Sequence, residues 1–159
     1  MSYKKALFAG SFDPYTAGHH ALLRKALTLF DEVVIAIGIN ENKRTLYSVE
    51  QRLEMIRALY ASEPNIKVDS YNGLTIDYAK EHSIDVMVRG VRSMIDFEYE
   101  RMVGEANRQL SGIETILFFT DPHLQHISST IVRELIRFNR DVTPFLPEGL
   151  VLPPPTTNK

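Results

Sequence analysis

Short apolar runs of strand length recur along the chain at residues 6–9, 33–37, 66–68, 86–88 and 115–119, and between them the apolar residues return every three or four positions. A return of that kind buries one face of a helix, whereas a short continuous apolar run suits a strand covered on both sides. The alternation predicts an α/β chain. The first helical segment runs from about Gly18 to Phe30, with Ala21, Leu22, Ala26, Leu29 and Phe30 on one stripe. Ser48 followed by Gln51 matches a capping box, in which each side chain satisfies the other residue's backbone N–H, and it announces a helix carrying Leu53, Ile56 and Leu59. Another is expected over residues 74–82. Ser93 and Asp96 open a longer pattern through Leu110, which Gly112 closes, because glycine accepts the left-handed turn that ends many helices. Ser128 or Ser129 caps a last helix reaching about Phe138.

Strands joined by right-handed helical crossovers give a Rossmann-like, doubly wound parallel sheet with helices on both faces. With 159 residues the chain fits a single domain, drawn here over residues 1–152, with no internal repeat. Three prolines at 153–155 are followed by Thr-Thr-Asn-Lys, so residues 153–159 are expected to form an extended, flexible tail. In sheets of this kind ligands gather at the carboxyl ends of the strands, which directs attention to the loops that follow them.

Composition narrows the chemistry. Eighteen Lys and Arg against 20 Asp and Glu give a net charge of −2, so no whole-body attraction to nucleic acid or to an anionic membrane is expected, and any anion site is built locally. The absence of cysteine excludes disulfides, a thiolate nucleophile and Cys-ligated zinc. Lys4 and Lys5 precede an apolar run, but Gly10 and Asp13 cut it short of a signal-peptide core, and no other stretch approaches membrane-spanning length. The chain reads as cytoplasmic.

Four segments at strand ends carry candidate chemistry. The segment from Gly10 to His19 opens directly into a helix, whose unpaired N–H groups and partial positive charge attract phosphate; its other reading is a tight turn with a surface histidine. Asn40-Glu41-Asn42-Lys43-Arg44 has no apolar residue and by itself reads as a solvated loop. In Arg89-Gly90-Val91-Arg92, two guanidinium groups suit bidentate phosphate recognition, or else ion pairs with Asp96, Glu98 or Glu100. His126-Ile127-Ser128-Ser129-Thr130 offers three hydroxyls at a helix start, for capping or for phosphate. Together they gather cations, hydroxyls and helix N-termini around one crevice, as a nucleotide with several phosphates requires.

At these residues the chain resembles a known family. Thr16-Ala17-Gly18-His19 is similar to the T/H-x-G-H signature of the nucleotidyltransferase superfamily, and Ile127-Ser128-Ser129-Thr130-Ile131-Val132-Arg133 to its second signature, I-S-S-T/S-x-x-R. Gly10-Ser11-Phe12-Asp13-Pro14, Lys43, Gly73-Leu74, residues 89–92, 96–100, 107–108 and 141–147 resemble phosphopantetheine adenylyltransferases, and the likeness covers roughly residues 4–148. The stretch from Asp121 to His126 departs from the usual serine-containing loop, and Leu150-Val151-Leu152 runs into prolines where the family has a short helix.

The resemblance implies transfer of AMP from ATP to 4'-phosphopantetheine, giving dephospho-coenzyme A and pyrophosphate in coenzyme A synthesis. It implies His19 as transition-state stabiliser, with Lys43 and Arg92 as the other catalytic groups. ATP would be bound by Ser11, Phe12, His19, Gly90, Val91, Arg92, Glu100, Leu124, Gln125, His126, Ile127, Ser128, Ser129 and Thr130. The acceptor would be held by Ser11, Lys43, Thr75 and Arg89. Magnesium would arrive on the ATP phosphates, with no protein metal ligand named. A homohexamer is expected by family analogy, and whether coenzyme A acts as a feedback ligand is left open. Three alternatives stand beside this reading: a relative acting on another acceptor, such as nicotinate mononucleotide or a cytidylyl substrate; a pocket that binds nucleotide without turnover; and a nucleic-acid module, which the charge disfavours.

Overall fold

The computed structural model describes residues 4–156. Five strands, β1 (Lys5–Gly10), β2 (Glu32–Ile39), β3 (Ile66–Asn72), β4 (Val86–Val91) and β5 (Glu114–Phe119), alternate with α1 (Ala17–Leu27), α2 (Val49–Leu59), α3 (Thr75–Glu81) and α4 (Met94–Ser111). After β5 come α5 (Ser129–Arg137) and two short 3-10 turns, at Pro122–Leu124 and Thr143–Phe145. The strands form one sheet in the order β3-β2-β1-β4-β5, and every pair is parallel. The α/β, Rossmann-like expectation therefore holds.

Alternate residues of the strands feed two cores. Phe8, Val33, Ile35, Ile37 and Val88 pack with Leu22, Leu23 and Ala26 of α1 and with Met55 and Ile56 of α2. Leu7, Ala9, Val34, Ala36 and Met87 pack on the other face with Ile76 and Ala79 of α3. A strand buried on both sides needs apolar residues at every position, which is why the central runs show no polar alternation.

The caps appear where the sequence places them. Ser48 and Gln51 form the reciprocal capping box of α2, Ser93 accepts from Asp96 N–H, and Gly112 ends α4 at φ 77°. Ser128 caps α5. One helix boundary differs from expectation: α1 begins at Ala17 with Thr16 as N-cap and ends at Leu27, so Leu29 lies beyond the helix and is 57% exposed rather than part of the buried stripe.

The start of the proline-rich segment is extended, and it is tied to α2. Gln51 Nε2 donates to Pro154 O at 2.9 Å, Thr156 N donates to Leu46 O at 3.0 Å, and Thr156 Oγ1 meets Ser48 N–H and Gln51 Oε1. The remainder of that segment, residues 157–159, lies outside the described residues, as do residues 1–3. No helix among the described residues is long and apolar enough to cross a membrane.

The strand order fixes the position of the crevice. From β1 the chain winds outward through β2 to β3, then returns to place β4 on the other side of β1. The carboxyl ends of β1 and β4 thus flank the switch point, where two successive loops diverge and leave a gap for a ligand.

Candidate active site

Beyond β1 the backbone turns sharply. Phe12 takes φ 48°, a left-handed conformation uncommon for a bulky residue, and its ring folds back so closely that a Cβ on Gly10 would lie 3.0 Å from it. A side chain at Gly10 would push the Phe12 ring aside by a few tenths of an ångström, so glycine suits this tight turn. The loop ends at Thr16, which is 1% exposed, and α1 points its N-terminus into the crevice.

His19 completes a capping box with Thr16. Thr16 N–H donates to His19 Nδ1 at 3.0 Å, and Thr16 Oγ1, which accepts from His19 N–H at 3.4 Å, stands 3.1 Å from the same ring nitrogen. A nitrogen that accepts a backbone N–H carries no proton, so the proton of the neutral ring sits on Nε2. The imidazole is enclosed by Phe8, Phe12 and Tyr15, with ring centroids 6.1, 5.0 and 5.4 Å away. Burial, reinforced by the positive charges of Arg92 and Arg89, lowers its pKa to about 3. His19 thus presents a neutral Nε2–H donor to the cavity it lines.

Cations arrive from two strand ends, Arg89 and Arg92 at the end of β4 and Lys43 beyond β2. Arg89 is gripped by Glu100, with Nε and Nη2 donating to the two carboxylate oxygens at 2.9 and 2.8 Å, while Nη1 donates to Ala9 O at 2.7 Å. Arg92 donates to Ile127 O at 3.3 Å and lies 3.6 Å from Asp96, and Lys43 Nζ donates to Ser11 Oγ at 3.1 Å. The ion-pair reading of the arginines is realised, Arg89 with Glu100 and Arg92 with Asp96, and both pairs form at the cavity wall. Arg133 adds a further cation, donating to Asp13 O at 2.8 Å and to Thr130 Oγ1 at 3.1 Å.

The cavity these groups enclose has a volume of about 340 Å³. Ser11, Phe12, His19, Lys43, Arg89, Gly90, Arg92, Glu100, Ile127, Ser128, Ser129 and Thr130 all line it. Val91 and Gln125 instead line an adjoining apolar cavity of about 370 Å³ with Met94, Phe97 and Phe119, and Arg92 and Thr120 border both. Leu124, His126 and Thr75 line neither: His126 meets Phe145 edge-on at 5.9 Å, and Thr75 Oγ1 bonds Tyr71 OH at 2.7 Å. The hydroxyls of the second signature have protein partners, since Ser128 caps α5, Ser129 donates to Pro14 O at 2.8 Å and Thr130 accepts from Arg133.

Sequence reasoning passed over Asp13, Thr16 and Arg133 as site residues, although all three line the cavity. Each stands inside or beside a signature, and each acts through backbone partners that spacing does not reveal. For magnesium the donor set is sparse. Among the described residues no three His, Asp or Glu side chains cluster, and the buried carboxylates are committed, Glu100 to Arg89 and Asp13 to backbone N–H groups. A divalent ion at this site would depend on the phosphates of its ligand for coordination.

The cytidylyltransferase-like family model matches residues 7–135. A phosphopantetheine adenylyltransferase from Porphyromonas gingivalis is 57% identical over 96% of this chain and 99% of its own length, and one from Phocaeicola vulgatus is 56% identical over 92% and 97%. The fold also matches a crystal structure of a bifunctional NMN adenylyltransferase/ADP ribose pyrophosphatase from Francisella tularensis, complexed with AMP and a manganese ion, at TM-score 0.69 and 16% identity. That match covers 91% of this chain and 44% of the larger protein. The chain accordingly belongs to the cytidylyltransferase-like nucleotidyltransferases and, within them, to the phosphopantetheine adenylyltransferase family.

Proposed function

We propose that the chain transfers the adenylyl group of magnesium-bound ATP to 4'-phosphopantetheine, releasing pyrophosphate and forming dephospho-coenzyme A in the cytoplasm. The observation that carries this reading is a neutral His19 donor facing a cavity walled by Lys43, Arg89, Arg92 and Arg133. Such a wall binds phosphates, and the transfer needs no protein nucleophile. A phosphate monoester, with a second pKa of about 6, is mostly dianionic at neutral pH and attacks unaided. An acceptor oxygen forms a bond to the α-phosphorus as the bond from that phosphorus to the bridging oxygen of pyrophosphate breaks. Both electron pairs are accounted for, and no proton has to be moved.

The protein's task is to align two anions that repel each other and to stabilise the charge building at the α-phosphorus. In this reading His19 Nε2–H donates to an α-phosphate oxygen, while Lys43 and Arg92 balance the incoming and departing phosphates. Arg89 and Ser11 hold the acceptor phosphate, with Glu100 orienting Arg89. The base of ATP lies in the apolar cavity beside Val91 and Gln125, its phosphates passing Arg92 into the polar one. Met94, Ile95, Tyr99, Met102 and Leu110 leave an apolar stripe exposed on α4, which supports assembly of several copies.

Pyrophosphate release with MgATP tests the acceptor. Turnover is expected with 4'-phosphopantetheine and not with nicotinate mononucleotide or with pantetheine lacking its phosphate. Turnover with nicotinate mononucleotide alone would reassign the acceptor, and ATP binding without turnover on any acceptor would leave a non-catalytic pocket.

A further inference from the structure

The loop that carries Lys43 has no apolar residue from Asn40 to Arg44, yet Lys43 Nζ reaches Ser11 Oγ at 3.1 Å across the mouth of the cavity. A polar, exposed loop needs an anchor to hold an ammonium group at one place. The anchor is at residues 46–48. Asp13, 1% exposed, accepts from Leu46 N–H at 2.8 Å through Oδ2 and from Tyr47 N–H at 2.9 Å through Oδ1. Arg52, 3% exposed, ties the same two segments from the other direction. Its Nε donates to Tyr47 O and Ser48 O at 3.2 Å, and its Nη1 donates to Ser11 O at 2.6 Å. On the outer side Thr156 N–H donates to Leu46 O at 3.0 Å, so the polar groups of Leu46 are held from inside by Asp13 and from outside by the C-terminal segment.

We infer that Asp13 is a positioning residue for the acceptor phosphate, acting through Lys43, and that Thr156 braces the same strand of chain from its outer side. The inference rests on the proposed function, because it takes Lys43 as an acceptor ligand. A carboxylate suits this place because both of its oxygens only accept. In Asp13→Asn the amide –NH₂ would face a backbone N–H, so one of the two bonds is lost while the shape is kept. Lys43 then samples positions away from Ser11, and the acceptor phosphate loses a fixed counter-charge. The ATP side, served by Arg92 and His19, keeps its geometry, and Arg133, whose guanidinium stands 4.0 Å from the Asp13 carboxylate, stays held by its bond to Asp13 O.

The test is a double-mutant cycle read by calorimetric binding and by initial rates. Asp13→Asn is expected to weaken 4'-phosphopantetheine binding and raise its KM roughly tenfold, with ATP affinity within about twofold of the wild type. In a Lys43→Met background the same substitution is expected to change acceptor binding by less than about twofold, because the group it positions is gone. Unchanged acceptor binding in Asp13→Asn, or a full tenfold effect that persists without Lys43, overturns the inference. Should Asp13→Asn fail to fold, deletion of residues 156–159 reads the same device from the outer side. It is expected to raise acceptor KM while leaving ATP binding intact, and no change in acceptor KM overturns the inference. A wild-type chain that binds no 4'-phosphopantetheine would instead defeat the functional reading itself, an outcome distinct from wild-type binding that ignores Asp13.

Discussion

Protonating His19 is the perturbation whose cost the structure sets most directly. Its pKa falls from an ordinary 6.5 to about 3, first because the ring is buried and then because Arg92 and Arg89 repel a second positive charge. At 1.36 kcal/mol per unit, that difference amounts to about 5 kcal/mol in favour of the neutral ring, so at pH 7 only about one molecule in ten thousand carries the imidazolium. Hydrogen bonding works in the same direction, since a proton on Nδ1 would confront the Thr16 N–H that now donates to it at 3.0 Å. The depressed pKa fixes the sign of the linkage. Between pH 6.5 and about 3 the unfolded chain binds a proton that the folded chain refuses, so His19 lowers stability as pH falls, by up to about 1.4 kcal/mol per pH unit, and has no such effect above 6.5. Nitrogen-15 chemical shifts of the ring, followed by NMR through a pH titration of the ligand-free protein, check both points. The expected result is a protonated Nε2, a bare Nδ1 and no transition between pH 8 and about 5. A midpoint near 6.5, or a proton on Nδ1, would refute the reasoning. Adding ATP is expected to raise the pKa, because the phosphates oppose the charge of the arginines. Removing the donor in His19→Ala is expected to lower kcat by about 10²–10³, as loss of a single oxyanion donor does elsewhere.

Two other substitutions probe the supports of the site. Glu100→Gln removes the counter-charge of Arg89, whose side chain keeps 36% of its exposure. A loss of about 1–3 kcal/mol in denaturant unfolding is therefore expected, below that for a fully buried pair, together with a raised KM for the acceptor. Stability equal to the wild type would show that Arg89 does not depend on Glu100. Ile35→Ala opens a hole in the central strand at a side chain with 0% exposure and is expected to cost about 2–5 kcal/mol in chemical denaturation, with substrate KM values unchanged.

The fold was legible because its signals are local and mutually consistent. Each strand run lies between apolar helices, and Ser48, Ser93, Gly112 and Ser128 act at the helix ends as their chemistry predicts. The arginines of the crevice were legible because β4 ends in the segment that holds Arg89 and Arg92 and the parallel sheet brings it beside the end of β1, whereas Lys43 by itself read as part of a solvated loop. Sequence could not show which acceptor each donor meets. The hydroxyls of Ser128, Ser129 and Thr130 suited capping or phosphate by type; in the fold Ser128 caps Ile131 N–H, Ser129 donates to Pro14 O and Thr130 accepts from Arg133. The motif around Asp13 was visible but its role was not, because its partners are two backbone N–H groups of a distant loop that any residues could supply. Leu29 was misplaced by the choice of helix boundary, since α1 ends at Leu27 and the stripe does not extend to residue 29.

The most direct measurement follows the phosphorus atoms of ATP. With 4'-phosphopantetheine and magnesium, label at the α-phosphorus is predicted to appear in dephospho-coenzyme A, and label at the γ-phosphorus in pyrophosphate. Label from the γ-position on the acceptor, or α-label that stays entirely in free adenine nucleotides, would contradict adenylyl transfer by this site.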